Sequence, residues 1–318
     1  MIKKIALYIS GSVLFILLVT FATYSFSRAD RLERLRSGSR LADTPLGQVE
    51  YRIIGGSGPF LLYFHAVLSG YDTAVIPPPG VRIIIPSRPG YLGTSIESGR
   101  SVEEQANVMA ALLDALNIES VVAYGTAAGA AFAITFASMF PDRTDGLITY
   151  AAVTERTNIP GDLEAPIAFR SEFVSWSLFS LFTAIRGPEG IVKSIVTDTV
   201  SQQRAMADPE ILTALTSFAW GIWPFSLREA GWRNDNDVLN NLDLPVSSLA
   251  VPTLILHGTA DINVPFENSA RLADEIYDSQ LYAISGGNHL ARLSHWEELN
   301  TVVLEFMNSL RTTPMPAL

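Results

Sequence analysis

Seven short apolar runs, each bounded by turn-forming residues, punctuate the chain at residues 49–54, 60–65, 82–86, 120–124, 146–151, 253–257 and 280–284. Their continuous apolar character predicts strands covered on both faces, as in a mostly parallel sheet. Helical patterns lie between them. Residues 101–116 carry an apolar stripe of Val108, Leu112, Leu113 and Leu116 behind a Ser101-x-x-Glu104 capping box. Residues 127–140, stopped by Pro141, and residues 267–276 and 296–310 read as further helices. The alternation predicts a doubly wound α/β architecture.

One stretch breaks the pattern. Residues 154–250 hold no clear strand and are dense in aromatics: Phe169, Phe173, Trp176, Phe179, Phe182, Phe218, Trp220, Trp223 and Phe225. Phe169, Phe173, Trp176 and Phe179 recur at three- and four-residue spacing, which places them on one helical face. A helical subdomain burying its own core accounts for most of these residues. A cap over a pocket is the sharper reading, because the insertion follows a strand end, where α/β sheets bind ligands. On that reading Phe173, Trp176, Trp220 and Trp223 are the candidate substrate-binding residues.

The N-terminus is a separate element. Residues 5–26 are 22 residues without a charge. At about 1.5 Å per helical residue they span a hydrocarbon core of about 30 Å. A secretory apolar region is shorter, and Ser27-Arg28-Ala29 makes a poor cleavage site, so an uncleaved single-pass anchor is favoured over a signal peptide. Lys3 and Lys4 precede the span while Arg28, Arg31, Arg34, Arg36 and Arg40 follow it, a slight lean toward a cytoplasmic main domain. The Arg-rich stretch is either a solvated linker or a contact to anionic headgroups. The organisation expected is an anchor at 1–27, a linker at 28–44, an α/β core at 45–153 and 251–311, and a helical cap at 154–250.

Composition excludes several functions. The formal net charge of -10 argues against a nucleic-acid surface. The chain has no cysteine, so thiolate chemistry and disulfides are absent. His65, His257, His289 and His295 lack close ligand spacing, so no metal is expected. No cofactor is implied either, since the Gly125-x-x-x-Gly129 spacing is not the G-x-G-x-x-G of dinucleotide sites.

Residues 121–130, Val-Val-Ala-Tyr-Gly-Thr-Ala-Ala-Gly-Ala, read as a strand, a tight turn and a helix start, with glycines two residues either side of Ala127. That is the frame of the nucleophile elbow G-x-S-x-G. Its central residue here is alanine, and a methyl group cannot attack a carbonyl.

From about residue 47 to 310 the chain resembles the α/β-hydrolase-fold family. Residues 59–70 resemble the strand and His-Gly turn, here His65-Ala66. Residues 86–95 resemble the D-x-P-G-x-G-x-S loop, with Ser87 where many members have Asp. Residues 252–265 resemble P-x-L-x-x-x-G-x-x-D, and residues 286–289 the G-x-H turn. The resemblance implies an α/β-hydrolase fold with a helical cap. It makes Ala127 the nucleophile position, Asp261 the acid and His289 the base, the acid holding the imidazole in one tautomer. It also makes the backbone N–H of Ala128, with Ala66 or Val67, the oxyanion donors. Asp261 and His289 could instead be ordinary turn residues. His65 reads as structural, His257 as packed and His295 as near a helix start. Thr126, the only hydroxyl within the elbow, points elsewhere and is a poor substitute.

Three accounts follow from hydrolase ancestry. The chain is an inactive relative that binds a small apolar ligand or a partner; or the Asp261–His289 dyad still acts on a small apolar ester, amide or lactone; or Ala127 is an engineered replacement of serine. The sequence carries no signal of oligomeric state.

Overall fold

The computed structural model describes residues 2–156 and 171–312. It opens with one long helix, α1 (Ile2–Ser37). Two antiparallel strands follow, β1 (Arg40–Thr44) and β2 (Gly47–Gly55), then β3 (Phe60–Phe64), β4 (Arg82–Pro86), α2 (Val102–Ala115), β5 (Val121–Thr126), α3 (Gly129–Met139) and β6 (Thr144–Tyr150). An all-helical insertion contributes α4 (Glu172–Ile195), α5 (Thr199–Ala207), α6 (Pro209–Gly221) and α7 (Glu229–Asn240). The chain then returns to the sheet with β7 (Thr253–Gly258), α8 (Phe266–Glu275), β8 (Ser279–Ile284), a short α9 (Ala291–Ser294) and α10 (Trp296–Thr312).

The strands form one eight-stranded sheet in the order β1-β2-β4-β3-β5-β6-β7-β8. Pairs involving β1 and β2 are antiparallel and all others are parallel. Side chains alternate between the two faces of a strand. Leu62 and Phe64 of β3 therefore join the core under α2, α3 and α8, while Leu61 and Tyr63 join the core under α10. This burial of both faces explains the unbroken apolar runs. The expected capping box is present, with Ser101 accepting from the Glu104 backbone and Glu104 from the Ser101 backbone.

Residues 28–44, expected as a linker, are ordered secondary structure: α1 continues to Ser37 and β1 joins the sheet edge. Leu35 is buried and its carbonyl accepts a hydrogen bond from the Tyr71 hydroxyl. Arg28 pairs with Glu172 at 2.7 Å and Arg31 with Asp72 at 2.5 Å. The arginines that sequence left to solvent or headgroups thus include two that dock the helix onto the protein.

The last insertion helix also belongs to the core. Asp235 of α7 is fully buried and takes both guanidinium nitrogens of Arg88, at 2.9 and 2.5 Å, and the Tyr91 hydroxyl at 2.6 Å. Gly231 donates to Gly90 O, and a side chain there would strike the Tyr91 ring. Residues 154–250 are therefore not one separate cap. Removing one partner of a buried ion pair leaves an uncompensated charge, which costs about 3–5 kcal/mol, whereas an apolar replacement of both can be neutral. Asp235→Ala is expected to lower the unfolding free energy of the detergent-solubilised chain by about that amount, and Arg88→Met with Asp235→Leu to recover most of it. Denaturant titration followed by tryptophan fluorescence checks both.

Candidate active site

The elbow between β5 and α3 is built by exclusion of side chains. A Cβ on Gly125 would lie 2.4 Å from the Ala130 Cα, and one on Gly129 would lie 2.2 Å from Phe64 O and 2.6 Å from His65 O. Glycine at both positions lets α3 press against the ends of β3 and β5. Between them Ala127 sits at φ 50°, in the left-handed region. Three main-chain hydrogen bonds hold it there: its N–H donates to Tyr150 O at 2.8 Å, and its carbonyl accepts from Ala130 at 3.0 Å and Val153 at 3.2 Å. The side chain so presented is a methyl group with no nucleophilic atom. Thr126 is turned away, its hydroxyl donating to Tyr63 at 2.7 Å inside the core.

The acid loop after β7 and the turn after β8 are joined. Ala260 N donates to Gly287 O, Gly286 N to the Thr259 hydroxyl, and a Cβ on Gly258 would collide with Gly287 O. This junction brings Asp261 Oδ2 to 2.7 Å from His289 Nδ1. The other carboxylate oxygen accepts from the backbone N–H groups of Asn263 and Val264 at 2.8 and 3.0 Å. His257 adds a contact, its Nε2 lying 3.3 Å from Asp261 Oδ2 and 3.1 Å from Val264 O, while Nδ1 faces the Ser269 hydroxyl at 2.7 Å. Both neighbours of Nε2 are acceptors, so this nitrogen carries a proton and donates toward them. Burial opposes ionisation of Asp261, but the hydrogen bonds from His257 and His289 outweigh it and hold the carboxyl well below the usual carboxylate range. An ionised Asp261 holds the Nδ1–H of His289 and so turns Nε2 away from the carboxylate. The Asp261 side chain is fully buried whereas that of His289 is 21% exposed, so the acid is dry and the imidazole is partly open.

His65 lies at the end of β3, beside the elbow. Its Nε2 accepts from the Arg88 backbone at 3.0 Å and its Nδ1 donates to Ala66 O at 2.7 Å. Burial, then the nearby Arg88 charge, holds its imidazole well below the ordinary value and keeps it neutral. The hydrogen bond to Ala66 O fixes the peptide plane whose N–H belongs to Val67. Among the described residues nothing accepts from the backbone N–H groups of Ala66, Val67 or Ala128.

Tyr150 was not singled out from sequence. Its carbonyl takes the Ala127 N–H, while its hydroxyl donates to Asn288 O at 3.2 Å and accepts from Arg292 N at 3.1 Å. One residue thus ties the elbow to both flanks of His289. Its burial pushes the phenol well above its ordinary pKa, so it stays a protonated donor. The available signal was a tyrosine ending an apolar strand, where a buried hydroxyl must find a partner.

The sequence model of the family described as serine aminopeptidase, S33, matches residues 89–292, a span holding the elbow, Asp261 and His289. The chain belongs to this family. Its α/β-hydrolase fold is shared with an α/β-hydrolase-fold protein from Nakamurella multipartita, which is 27% identical, with a TM-score of 0.72 over 84% of this chain and 98% of that one. A 2-hydroxy-6-oxo-2,4-heptadienoate hydrolase of Pseudomonas putida is 27% identical over 69% of this chain and 73% of its own length. An uncharacterized hydrolase of Bacillus subtilis, YcgS, is 37% identical over 41% of this chain, and the match spans about half of that relative, 48%.

The aromatic residues expected to contact substrate in this hydrolase fold are placed elsewhere. Phe173 packs edge-on against Phe21 and Tyr24 of α1, Trp176 and Trp223 meet Tyr24, and Trp220 lies against Phe179 at 4.3 Å. Phe173, Trp176 and Trp223 thus dock the long N-terminal helix, while Trp220 meets Phe179 and Trp223 edge to face. The small cavity beside Val67, about 30 Å³, is lined instead by Leu68, Thr73, Phe218 and Ile222 among others. Helical period explains the exchange: Phe218 and Ile222 share the inner face of α6 and its cap, and Trp220 and Trp223 point away from it. Phe169, counted with them from sequence, lies outside the described residues.

A carboxyl whose folded pKa is depressed contributes stability that is present above its unfolded pKa, about 3.9, and is lost as pH falls through the folded value. Asp261→Asn is therefore expected to be less stable than the parent chain at pH 7, with the gap closing below about pH 4. Unfolding titrations down the acid limb check this; a gap that stays constant to the lowest pH sampled contradicts it.

Proposed function

We propose that this chain is a membrane-anchored hydrolase-fold protein that works without a covalent nucleophile. The assembled dyad acts on a small, largely apolar ester, amide, lactone or related carbonyl compound. The observation that carries this reading is the 2.7 Å contact of His289 Nδ1 with an ionised Asp261, in a chain whose elbow is centred on a methyl group. In this reading the free Nε2 of His289 takes a proton from a bound water or from the substrate, and the N–H groups of Ala128 and of Ala66 or Val67 stabilise the anion formed. General-base action of this kind contributes about 10²–10⁴-fold. No acyl-enzyme forms, because residue 127 carries no oxygen. The relatives named for hydrolysing 2-hydroxy-6-oxo-dienoates make such conjugated keto acids the second class of compound to try.

The anchor is the N-terminal part of α1, which is long and apolar enough to cross a membrane and whose Leu, Ile, Val and Phe residues such as Leu7, Phe15, Leu18 and Phe26 are exposed. Docking of Tyr24, Arg28 and Arg31 onto the rest of the protein favours retention of this helix over cleavage near residue 27. The excess of arginine after the span favours a main domain on the cytoplasmic side.

The test uses the full chain in detergent with p-nitrophenyl butyrate and a 2-hydroxy-6-oxo-dienoate. Slow turnover by the parent chain, lost in His289→Ala, is expected; Ala127→Ser is expected to raise ester turnover by about 10³-fold or more, given the roughly 10⁶ that loss of a serine nucleophile costs. A parent chain whose turnover is unchanged by His289→Ala would overturn the dyad mechanism. Absence of turnover in both the parent and Ala127→Ser would point to a binding protein instead.

A further inference from the structure

The insertion helix α4 carries an apolar face that nothing among the described residues covers. Residues 173–185 hold no charged side chain, and Leu178, Leu181 and Ile185 are 57%, 58% and 70% exposed. Their i, i+3, i+7 spacing puts them on one face. The opposite face is satisfied, with Trp176 buried against Tyr24 and Phe179 against Trp220. Gly187, at φ 65° and followed by Pro188, breaks the helix directly after this stretch, and Arg186 closes it.

The position of α4 is set by α1. Phe173 packs on Phe21 and Tyr24, and Trp176 on Tyr24. Both α1 residues lie inside the uncharged run that ends at Phe26. At about 1.5 Å per residue they sit roughly 3 and 8 Å short of its end. Phe21 thus falls within, and Tyr24 just short of, the depth of about 5–10 Å at which amphipathic helices lie in a bilayer interface. The charged groups where the two helices part, Arg28 and Glu172, pair with each other at the headgroup side of this contact.

We propose that α4 is an interfacial helix whose Leu178, Leu181 and Ile185 face enters the lipid leaflet in which α1 is anchored. The occupant of this face is lipid acyl chain. The protein then rests on the bilayer along α4 as well as hanging from α1, with the insertion turned toward the lipid. This rests on the reading of α1 as a membrane anchor.

The chain has no cysteine, so single-cysteine variants can be labelled without background. Full-length Leu181→Cys, Ile185→Cys, Leu14→Cys and Glu119→Cys, each carrying an NBD fluorophore, are reconstituted into vesicles of phosphatidylcholine and phosphatidylglycerol. The expected result is blue-shifted emission, quenching by brominated lipid and loss of iodide quenching at positions 14, 181 and 185. Position 119, exposed just before β5, should show the reverse. Iodide quenching at 181 and 185 equal to that at 119, with position 14 still in lipid, overturns the proposal and leaves the anchor standing. Position 14 in water overturns both. Shielding of 181 and 185 from iodide without quenching by brominated lipid marks a protein neighbour on this face and also overturns it.

Discussion

The left-handed backbone at Ala127 is the constraint from which the rest of the site is laid out. A residue with a Cβ in that region costs on the order of 1–2 kcal/mol, and it persists because the surroundings leave no alternative. Gly125 and Gly129 clamp the turn between Ala130 and the carbonyls of Phe64 and His65. The three hydrogen bonds of Ala127 reach β6 through Tyr150, α3 through Ala130 and the start of the insertion through Val153. The same close approach at Gly129 sets where the Ala66–Val67 turn stands. The elbow, the Ala66–Val67 turn and the chain leaving β6 are therefore positioned together, and the strain resides in the backbone, independent of what side chain residue 127 carries.

Asp261 organises the other half of the site by the opposite means, through attraction. Two imidazoles and two main-chain amides converge on one carboxylate. Four donors compensate its burial, which is why the ionised form prevails in a dry location. Ser269, His257 and His289 are thus linked through one carboxylate, on which the two imidazoles converge from opposite sides. His257 occupies one side of Oδ2, which restricts His289 to the other. Tyr150 then relates this carboxylate-centred half to the elbow, since its backbone serves one and its hydroxyl the other.

The fold was readable because both faces of the central strands are buried and their composition shows it; the predicted strands in β2 through β8 each overlap an observed one. β1 escaped because Arg40–Thr44 is an edge strand with an exposed Leu41 and a mixed pattern, so no hydrophobic signal marks it. The positions of Ala127, Asp261 and His289 were readable because glycines and turn residues at fixed spacing mark them. The contacts of Tyr150 were not, since they join β6 to segments more than a hundred residues away, and those of His257 were not, since they depend on how the loop after β7 folds back on the strand end. Aromatic spacing indicated that Phe173 and Trp176 share a helical face, and it could not say whether that face meets a pocket or another helix. The answer lay in residues 21–24, read from sequence only as membrane span.

Asp72 makes the N-terminal helix more than a tether. Its carboxylate receives Arg31 of α1 and also Arg228, a fully buried guanidinium that in turn holds the Ser69 carbonyl at 2.9 Å. Asp72 and Ser69 both line the small cavity beside Val67. The segment carrying the candidate oxyanion donor is thus fixed at one end by β3 and the His65 hydrogen bonds, and at the other by a carboxylate shared between α1 and the insertion. A rotation of α1 that withdrew Arg31 would leave Asp72 and Arg228 as a balanced pair, so the loop would keep its tie to the insertion and lose only its tie to α1. The orientation of α1 and the placement of the loop from residue 66 to 73 thus meet at one carboxylate, which Arg228 keeps in place from the other side.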